Sequence, residues 1–398
     1  LTNDGAICSA LPISSRHPYV PFSNIACHRN ARAIALTIVL SMGYVSAQDV
    51  TPEPEVIDVP IGNEIPYQRG ISVVLYGNDT TMDINTVDFF DDLDSRNLGV
   101  DSIIFTFPIF MDGANSTVLY EDPELTPSVE NIRIFIREAH SRGYSIWLKP
   151  LIDDSRTGTW RGAITPGGDL SNLQALDEWF TSYGALILQY AHLAQEESIL
   201  GLVIGAELES LDKPQDKYTS RWSSLIAQVR AIYGGNVSYA KNWSPLELPG
   251  FAASLDVLMI DAFFDLQDLA NDATSEQISQ SWQRNWVGYL QGYAQMLQMP
   301  IMFAEVGIVP RVGAFRTPWN GNNGGAMDFS AQVRYYQGTC DFLRNFGESF
   351  NFRGAYWWAV GFYDHFENQR ARADEQGILT YNFYDQPAEE TLRQCYRG

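Results

Sequence analysis

The stretch "GLVIGAELES" (201–210) joins an apolar run directly to two carboxylates. Its first five residues, 201–205, have the pattern of a strand buried on both faces, as in a parallel sheet covered by helices. Glu207 and Glu209 follow at the end of this strand, before the next helical pattern. The stretch therefore predicts one unit of an α/β protein in which acidic side chains gather where a strand ends.

The same pattern recurs along the chain from about residue 65. Short apolar runs of strand length alternate with longer amphipathic segments. The apolar runs predict eight strands: Ile71–Tyr76, Ser102–Phe107, Tyr144–Lys149, Leu200–Gly205, Val237–Lys241, Leu255–Ile260, Pro300–Ala304 and Gly354–Val360. Eight strand–helix units in one run predict a single (β/α)8 TIM barrel of the α/β class. An open doubly wound sheet is the alternative, but no glycine-rich phosphate fingerprint follows the first strand.

Helices are predicted between and after these strands. Thr126 is the predicted N-cap of one helix, with Pro127 at the first helical position and Gly143 just past the end. The amphipathic segments place the others at Asp83–Asn97, Leu173–Gln195, Tyr218–Tyr233, Ser275–Leu297, Ser330–Phe346 and from about Pro387. This alternation leaves no clear domain boundary after residue 65.

The composition of the chain indicates which classes of binding partner are favoured and which are not. The 398 residues carry a formal net charge of −22, and such a field repels a polyanion, which argues against nucleic acid as a partner. Aromatic residues make up 13% of the chain, with 10 tryptophans, as in proteins that stack rings on sugars. A tryptophan-rich core is the alternative explanation.

The N-terminal region has the pattern of an export signal. Arg29 and Arg32 precede the apolar run Ala33–Val45, and residues 45–47 form a small-residue cleavage site. The apolar run is too short to span a bilayer comfortably, so no membrane insertion is expected after cleavage. We therefore divide the chain into a leader and signal peptide at 1–47, a linker at 48–64 and a barrel domain at 65–398, and expect a secreted or periplasmic protein.

The cysteines fit this location. Cys8 and Cys27 lie in the leader, and Cys340 and Cys395 remain after cleavage. In an exported protein two remaining cysteines suggest a disulfide that ties the C-terminal tail to a late helix. Two separate buried thiols are the alternative. Their spacing has no metal-binding signature, and the sequence contains neither an HExxH nor a GxSxG motif.

The active site of such a barrel lies at the carboxyl ends of its strands. Glu207 and Glu305 follow the fourth and seventh predicted strands, which face each other across the barrel mouth. Two carboxylates about 5–5.5 Å apart suit retaining glycoside hydrolysis, in which one is the nucleophile and the other a general acid and then a base. The acid needs a pKa raised by burial and by its neighbour's charge. Structural ion pairs are the alternative for both residues.

Glu209 competes with Glu207, because strand alternation places the two on the same side. Glu209 lies farther into the loop before the next helix. We therefore predict that it supports Glu207 from behind or forms an ion pair within the loop.

Five motifs then appear in the order seen in one enzyme family. They are "WLKPLIDDSRTGTWRGAI" (147–164), "IGAELES" (204–210), "VSYAKNW" (237–243), "LDVLMIDAFFDL" (255–266) and "FAEVGI" (303–308). On these motifs residues 67–360 resemble glycoside hydrolase family 113 of clan A, best known for endo-β-1,4-mannanases. The resemblance implies retaining hydrolysis without a cofactor or metal, with Glu207 as acid/base and Glu305 as nucleophile. Another β-glycanase, a transglycosylase of the same clan and a catalytically silent carbohydrate-binding barrel are the alternatives.

The sequence departs from the pattern of these relatives at three places. Ala206 stands where many clan A enzymes have Asn, and Leu151 stands where the family commonly has His. Phe263 and Phe264 lie where a Tyr often bonds the nucleophile. These changes alter what surrounds the sugar and leave the two glutamates in place.

Contacts to an oligo- or polysaccharide are predicted from the same strand ends. Aromatic rings pack on the C–H face of a sugar, and Asp, Asn and Arg take its hydroxyls. Trp358 is the predicted floor, with Trp357 as the alternative, and Trp319 lies in a Gly/Asn-rich rim segment, 316–328. The remaining predicted contacts are Tyr76, Asp153, Trp160, Arg161, Asn242, Trp243 and Asp261.

Overall fold

The computed structural model describes residues 65–321, 325–366 and 379–397, so the predicted leader, signal peptide and linker lie outside the described residues. The strands are β1 Gln68–Val74, β2 Ser102–Met111, β3 Leu119–Tyr120, β4 Ser145–Asp154, β5 Gly201–Ala206, β6 Asn236–Asn242, β7 Val257–Asp261, β8 Ile301–Val306 and β9 Phe352–Gly361. The α-helices are α1 Met82–Arg96, α2 Val129–Ser141, α3 Leu173–Glu196, α4 Asp216–Arg230, α5 Ser275–Asn285, α6 Val287–Leu297, α7 Phe329–Phe346 and α8 Pro387–Arg397.

Eight of these strands form one closed parallel sheet. The strand order is β1-β9-β8-β7-β6-β5-β4-β2, and β1 also pairs with β2, which closes the barrel. Gly70 on β1 aligns with Ser102 on one side and with Tyr356 on the other. The short strand β3 adds to β2 in antiparallel orientation. Closure confirms the predicted (β/α)8 barrel and excludes the open doubly wound sheet.

Two large rings fill the lower barrel because the neighbouring strands have glycine beside them. A Cβ on Gly201 would lie 2.1 Å from the Trp147 ring, and a Cβ on Gly70 would lie 2.2 Å from the Tyr356 ring. Both rings are fully buried, and the Tyr356 hydroxyl lies 2.7 Å from Ser102 Oγ. The interior is therefore a packed core, as expected for this fold, and only the carboxyl ends of the strands are open for a site.

The core between strands and helices supports the strand that carries Glu305. Trp282 on α5 stacks between Phe303 of β8 and Phe342 of α7, with ring centroids 5.9 and 5.3 Å apart. Its indole N–H donates to Thr339 Oγ1 at 3.1 Å, so the buried ring keeps a polar partner. Aromatic pairs of this kind add about 0.5–1.5 kcal/mol each beyond the apolar area that they bury. The packing of α5 and α7 against the outer face of β8 therefore stabilises the position of this strand.

Several helix boundaries differ from the sequence predictions by one to three residues, and two of the differences have a visible cause. Helix α2 has Ser128 as its N-cap, with Ser128 Oγ accepting from the Asn131 N–H, whereas the Thr126 hydroxyl donates to the Pro108 carbonyl. The predicted helix Ser275–Leu297 is two helices that meet at Trp286, whose φ of −122° is not helical. The Trp286 indole donates to the carbonyl of Asp265 at 3.0 Å, a tertiary contact that overrides the helical periodicity.

Helix α8 covers the seam where the barrel closes. The Tyr396 hydroxyl lies 2.8 Å from the carbonyl oxygen of Gly70 on β1 and 3.0 Å from that of Ala355 on β9. A disulfide between Cys340 of α7 and Cys395 of α8 holds this helix in place. Across the ranges described here, no helix is both long and apolar enough to cross a bilayer.

Candidate active site

A cavity of about 320 Å³ lies at the carboxyl ends of the strands. It contains three carboxylates, an amide, two hydroxyls and six aromatic rings, supplied by β6, β8 and β9 themselves and by the segments that follow β4 to β9. The lining residues are Trp160, Glu207, Glu209, Asn242, Trp243, Ser244, Phe263, Glu305, Trp319, Trp358 and Tyr381. Glu207 and Glu305 therefore face one cavity, although 98 residues (305 − 207) separate them in the sequence.

Glu305 lies within β8 and is 5% exposed. The ammonium of Lys149 donates to Glu305 Oε1 at 2.6 Å and to Asp261 Oδ1 at 2.7 Å, and both Lys149 and Asp261 are fully buried. Burial raises the pKa of Glu305, the Asp261 carboxylate raises it further, and the Lys149 ammonium opposes both. One buried cation thus serves two carboxylates, and it is the contact that favours the ionised form of Glu305.

Asp261 lies beneath the cavity and does not line it. Its Oδ2 is buried and has no hydrogen-bond partner within the described part of the chain. Burial raises the pKa of Asp261, and Lys149 lowers it. The residue predicted as a sugar contact is therefore placed as a partner of Lys149.

Glu207 lies at the barrel rim, one residue past β5. Its backbone is left-handed, with φ 53°, and its N–H donates to the Ala240 carbonyl of β6 at 2.9 Å. A positive φ is uncommon for a residue with a side chain, and backbone strain of this kind clusters at active sites. Glu207 Oε2 accepts hydrogen bonds from Arg161 Nη1 at 3.0 Å and from the Trp160 indole at 3.3 Å. Both donors come from the loop after β4.

Arg161 uses its planar guanidinium to connect several groups behind Glu207. Its Nη2 donates to Asp153 Oδ1 at 3.1 Å, and its Nε donates to the Ile152 carbonyl at 3.0 Å. The Tyr76 hydroxyl donates to the other oxygen of Asp153. Tyr76, Asp153 and Arg161, predicted as sugar contacts, form a chain of bonds that ends on Glu207 and do not line the cavity. The fork geometry of arginine makes this two-carboxylate contact possible.

Glu209 differs from its prediction. It lines the cavity beside Glu207, and Asn242 Nδ2 donates to its Oε1 at 2.5 Å. Within the described residues it forms no salt bridge, so the predicted ion pair in the loop is not present there. Burial raises the pKa of Glu209 to about 7, with Asn242 opposing and the charges of Glu207 and Asp212 adding. Parity did place Glu207 and Glu209 on one side, and both are part of the cavity wall.

Stacked tryptophans form one wall of the cavity. Trp243, after β6, lies parallel to Trp319, after β8, with ring centroids 5.0 Å apart and an interplanar angle of 22°. Of the two tryptophans on β9, Trp358 lines the cavity, and Trp357 is buried against Tyr336 with centroids 4.0 Å apart. Two rings of different loops thus make a flat apolar surface of the kind that a sugar packs against.

Two residues that line the cavity, Tyr381 and Ser244, were not predicted from the sequence. Tyr381 contacts the Phe263 ring edge at a centroid distance of 5.8 Å and donates its hydroxyl to the Pro318 carbonyl at 2.6 Å. It comes after the last strand in a segment without strand or helix periodicity. Only the closed fold reveals that this segment returns to the mouth.

The described part of the chain contains no cluster of His, Cys, Asp and Glu side chains suited to hold a metal ion. The site consists of aromatic walls and three carboxylates, of which Glu207 and Glu305 are each paired with a cation. Such a set is suited to proton transfer and to nucleophilic attack by a carboxylate.

Similar solved structures share this fold. A β-mannanase of Alicyclobacillus acidocaldarius, solved in complex with ManMIm, matches with a TM-score of 0.70 and 23% identity, over 84% of this chain and 98% of that chain. A β-1,4-mannanase complex matches with a TM-score of 0.71 and 21% identity, over 84% and 99%. A β-glucuronidase of Faecalibacterium prausnitzii is more distant, with a TM-score of 0.53 and 13% identity, over 83% and 49%.

A comparison with curated proteins finds no match. The sequence model of Glycoside Hydrolase Family 113 matches residues 82–385, which span β2 to β9 and all the lining residues of the cavity. The family relationship therefore rests on most of the chain and not on isolated motifs. The chain belongs to glycoside hydrolase family 113 and is a glycoside hydrolase.

Proposed function

We propose that this protein is a retaining endo-β-1,4-mannanase that hydrolyses its polysaccharide through a covalent glycosyl-enzyme intermediate. The observation that carries the proposal is the pair Glu207 and Glu305, which face one cavity from the ends of β5 and β8, with β6 and β7 between them. The β-mannanases with the same fold support the choice of mannan. Residues 65–398 are proposed as the catalytic domain.

Glu305 is proposed as the nucleophile. A nucleophile must be ionised, and the Lys149 ammonium opposes the burial that raises the pKa of Glu305. Lys149 bonds Oε1, and no hydrogen bond to Oε2 is made within the described residues. Oε2 is thus the oxygen suited to attack C1 of the sugar.

Glu207 is proposed as the acid/base. It lies at the rim, where the leaving oxygen and an attacking water can reach it. The Arg161 guanidinium, 3.0 Å from Oε2, stabilises the carboxylate that remains after the proton has been donated. Trp160 donates a second, longer bond to the same oxygen.

The reaction takes two balanced steps. In the first, Glu305 forms a bond to C1, the C1–O glycosidic bond breaks and Glu207 gives its proton to the leaving oxygen. In the second, Glu207 takes a proton from water, the water oxygen bonds to C1 and the bond to Glu305 breaks. Two inversions at C1 return the original anomeric configuration, and both carboxyl groups return to their starting state.

The cavity wall supports a neutral sugar as the substrate. Trp243, Trp319 and Trp358 supply apolar surfaces for the C–H faces of a pyranose. The described lining residues include three carboxylates and no Lys or Arg side chain, so a uronate would meet like charge. An uncharged glycan such as mannan meets no like charge, and its hydroxyls can bond the carboxylates and the Asn242 amide while its C–H faces pack on the tryptophans.

Export is proposed together with this activity. The disulfide Cys340–Cys395 is typical of proteins that fold in an oxidising compartment, and the pattern of residues 29–47 is typical of a signal peptide. A secreted or periplasmic location places the enzyme where polysaccharide is found. We expect neither nucleic acid nor membrane as a partner.

The activity is tested with purified protein on mannan, glucomannan, xylan, galactan and β-glucan. We expect hydrolysis of mannan, a first product of retained configuration by proton NMR, and loss of hydrolysis in Glu305→Gln and Glu207→Gln with unchanged circular dichroism. An inverted first product, or normal rates in both variants, would contradict the proposed mechanism. Hydrolysis of another glycan alone would contradict the choice of mannan.

The two roles are separated by azide rescue on an aryl β-glycoside. Glu305→Ala should give the α-glycosyl azide, because azide replaces the nucleophile directly. Glu207→Ala should give the β-glycosyl azide, because azide attacks the glycosyl-enzyme intermediate. The opposite pair of products would exchange the roles of the two glutamates.

A further inference from the structure

The three carboxylates of the cavity are not equivalent in their cation partners. Glu305 is bonded to Lys149 and Glu207 to Arg161. Glu209 lies in the same wall without a salt bridge to any described residue, although Lys241 is nearby. Any role of Glu209 in the cavity must therefore be one that requires no paired cation.

The nearest cation is held by other groups. Lys241 donates to the carbonyls of Asn242, at 2.7 Å, and of Pro245, which fixes the loop after β6. Asp212, on the other side, accepts from the Tyr239 hydroxyl at 2.9 Å. Glu209 is therefore faced by the Asn242 amide and the Lys241 ammonium from β6, and by Glu207 and Asp212 from its own segment.

From this geometry we propose that Glu209 is a third functional carboxyl, which stays protonated at the working pH and binds a hydroxyl of the glycan as a neutral group. The inference rests on the proposed function, because it assigns a role within the same sugar-binding cavity. Asn242 bonds Oε1, and Oε2 has no hydrogen-bond partner among the described residues. A proton on Oε2 makes the group a donor and an acceptor at once, which matches a sugar hydroxyl.

The electrostatics of the wall support the neutral form. Burial raises the pKa of Glu209 to about 7, and the negative charges of Glu207 and Asp212 act in the same direction. Ionisation of Glu209 would place a further charge beside Glu207, which must itself become a carboxylate when it donates its proton. A neutral Glu209 leaves that step without added repulsion.

The proposed role of Glu209 also restricts the class of sugar that the cavity binds. A protonated Glu209 beside Asn242 selects a sugar that offers a hydroxyl at this place, and a uronate carboxylate there would have no cation to pair with. Above pH 7 the ionised form can only accept, so glycan binding should weaken. Glu209 thus acts as a specificity residue whose effect appears in KM.

Two substitutions of Glu209, each made in the full-length protein, test this inference. Glu209→Gln keeps the shape and, like a protonated carboxyl, donates and accepts. Glu209→Ala removes both functions. Glu276→Gln is the matched control, because it removes the same charge from an exposed position on α5. Initial rates on manno-oligosaccharide are measured from pH 5 to 9 for all four proteins.

We expect KM of the unchanged protein and of Glu276→Gln to rise above about pH 7, and KM of Glu209→Gln to lack this rise. Glu209→Ala should raise KM about tenfold at every pH, with a smaller change in kcat, as expected for a lost hydrogen bond to substrate. The same alkaline rise in Glu209→Gln, or an unchanged KM in Glu209→Ala, would overturn the inference.

A second measurement separates this inference from the proposed function. Infrared titration of the carboxyl C=O band, without substrate, should show a group that ionises near pH 7 in the unchanged protein and is missing in Glu209→Gln. An ordinary titration near the usual pKa of about 4.3 would overturn the inference even in an active enzyme. Absence of hydrolysis on every glycan would instead contradict the proposed function.

Discussion

The two sides of the cavity hold their glutamates in different ways. Glu305 lies inside a strand, bonded to a fully buried lysine that also bonds Asp261. Glu207 lies past the end of a strand, on a left-handed backbone, and its partners Arg161 and Trp160 come from a loop. The first side is built from the barrel itself and the second from its rim.

This difference matches what the two steps demand. An attacking carboxylate must be held in one position, which a strand in the core of the sheet does, and the Lys149 ammonium favours the ionised form that attacks. An acid that becomes a base must exchange a proton with a leaving sugar and then with water, which requires access from outside. Each side of the cavity can therefore be tested by substitution of its own residues.

The largest effect is expected from Lys149→Met on the buried side. Its removal leaves Glu305 and Asp261 buried without a cation, so we expect kcat to fall by roughly 10²–10³-fold, as for loss of one electrostatic contact at the reacting charge. The acid limb of the pH–rate profile should move to higher pH, because the pKa of Glu305 rises when Lys149 no longer lowers it.

Lys213→Met serves as its control, since it removes the same charge from an exposed position. Loss of one partner of a buried ion pair also costs about 3–5 kcal/mol of stability, so urea unfolding must accompany the kinetics. A folded Lys149→Met protein with near-normal kcat would show that the buried side does not depend on this cation.

A smaller effect is expected from Arg161→Met on the rim. The guanidinium stabilises the Glu207 carboxylate, and its loss should lower kcat by about tenfold to a hundredfold on substrates with poor leaving groups. Arg161→Lys keeps the charge and loses the fork between Glu207 and Asp153, so it should recover only part of the rate. Equal rates for Arg161→Lys and the unchanged protein would reduce the role of Arg161 to its charge.

Trp160→Phe should change the rate by only a few-fold. The indole N–H lies 3.3 Å from Glu207 Oε2 and is the weaker of its two donors. Loss of one such hydrogen bond costs about 0.5–1.5 kcal/mol. Steady-state kcat/KM on one manno-oligosaccharide gives the comparison with Arg161→Met, and a larger loss for Trp160→Phe would reverse the order of the two donors.

The smallest effect concerns stability and pH. The pKa of Glu209 in the folded protein is about 7, above its usual value near 4.3, so its contribution is full below about pH 4.3 and is lost as pH rises through 7. Glu209→Gln does not titrate. Relative to the unchanged protein, the variant should therefore gain roughly 1 kcal/mol of unfolding free energy between pH 5 and 8, after allowance for solvent screening.

Urea unfolding of both proteins at the two pH values measures this gain. The difference between the proteins cancels the groups that they share, including His140 and His365, whose pKa values burial lowers. An equal difference at pH 5 and pH 8 would show that Glu209 ionises normally in the folded protein.

The barrel and the positions of the glutamates were accessible from sequence because both depend on local pattern. The apolar runs before Glu207 and Glu305 have the length and burial of strands, and the carboxyl ends of parallel strands share one face. The α2 cap at Ser128 and the break at Trp286 were missed. In the first case the Thr126 hydroxyl is used in a bond to the Pro108 carbonyl, and in the second the Trp286 indole bonds the Asp265 carbonyl, and periodicity records neither tertiary contact.

The sequence did not show which of the site residues line the cavity and which bond other side chains behind it. Asp153 and Arg161 were predicted on the loop after the third strand and Asp261 at the end of the sixth, yet each bonds another charged group and does not line the cavity. Glu209 was placed behind Glu207 and lies beside it. The partners of Asp261 and Glu209 are 112 and 33 residues away in the sequence, so local pattern does not reveal these bonds.

The bond of Tyr396 to both edges of the barrel has a consequence for how the seam is held. β1 is among the first strands to be synthesised, but the hydroxyl that joins it to β9 appears more than 320 residues later, at Tyr396. The backbone pairing of β1 with β9 is complete in sequence before that point, so the Tyr396 hydroxyl adds to a seam whose strands have already been made. The last helix therefore acts as a clasp on a barrel that its own strands close, and loss of this hydroxyl should loosen the seam without opening the sheet.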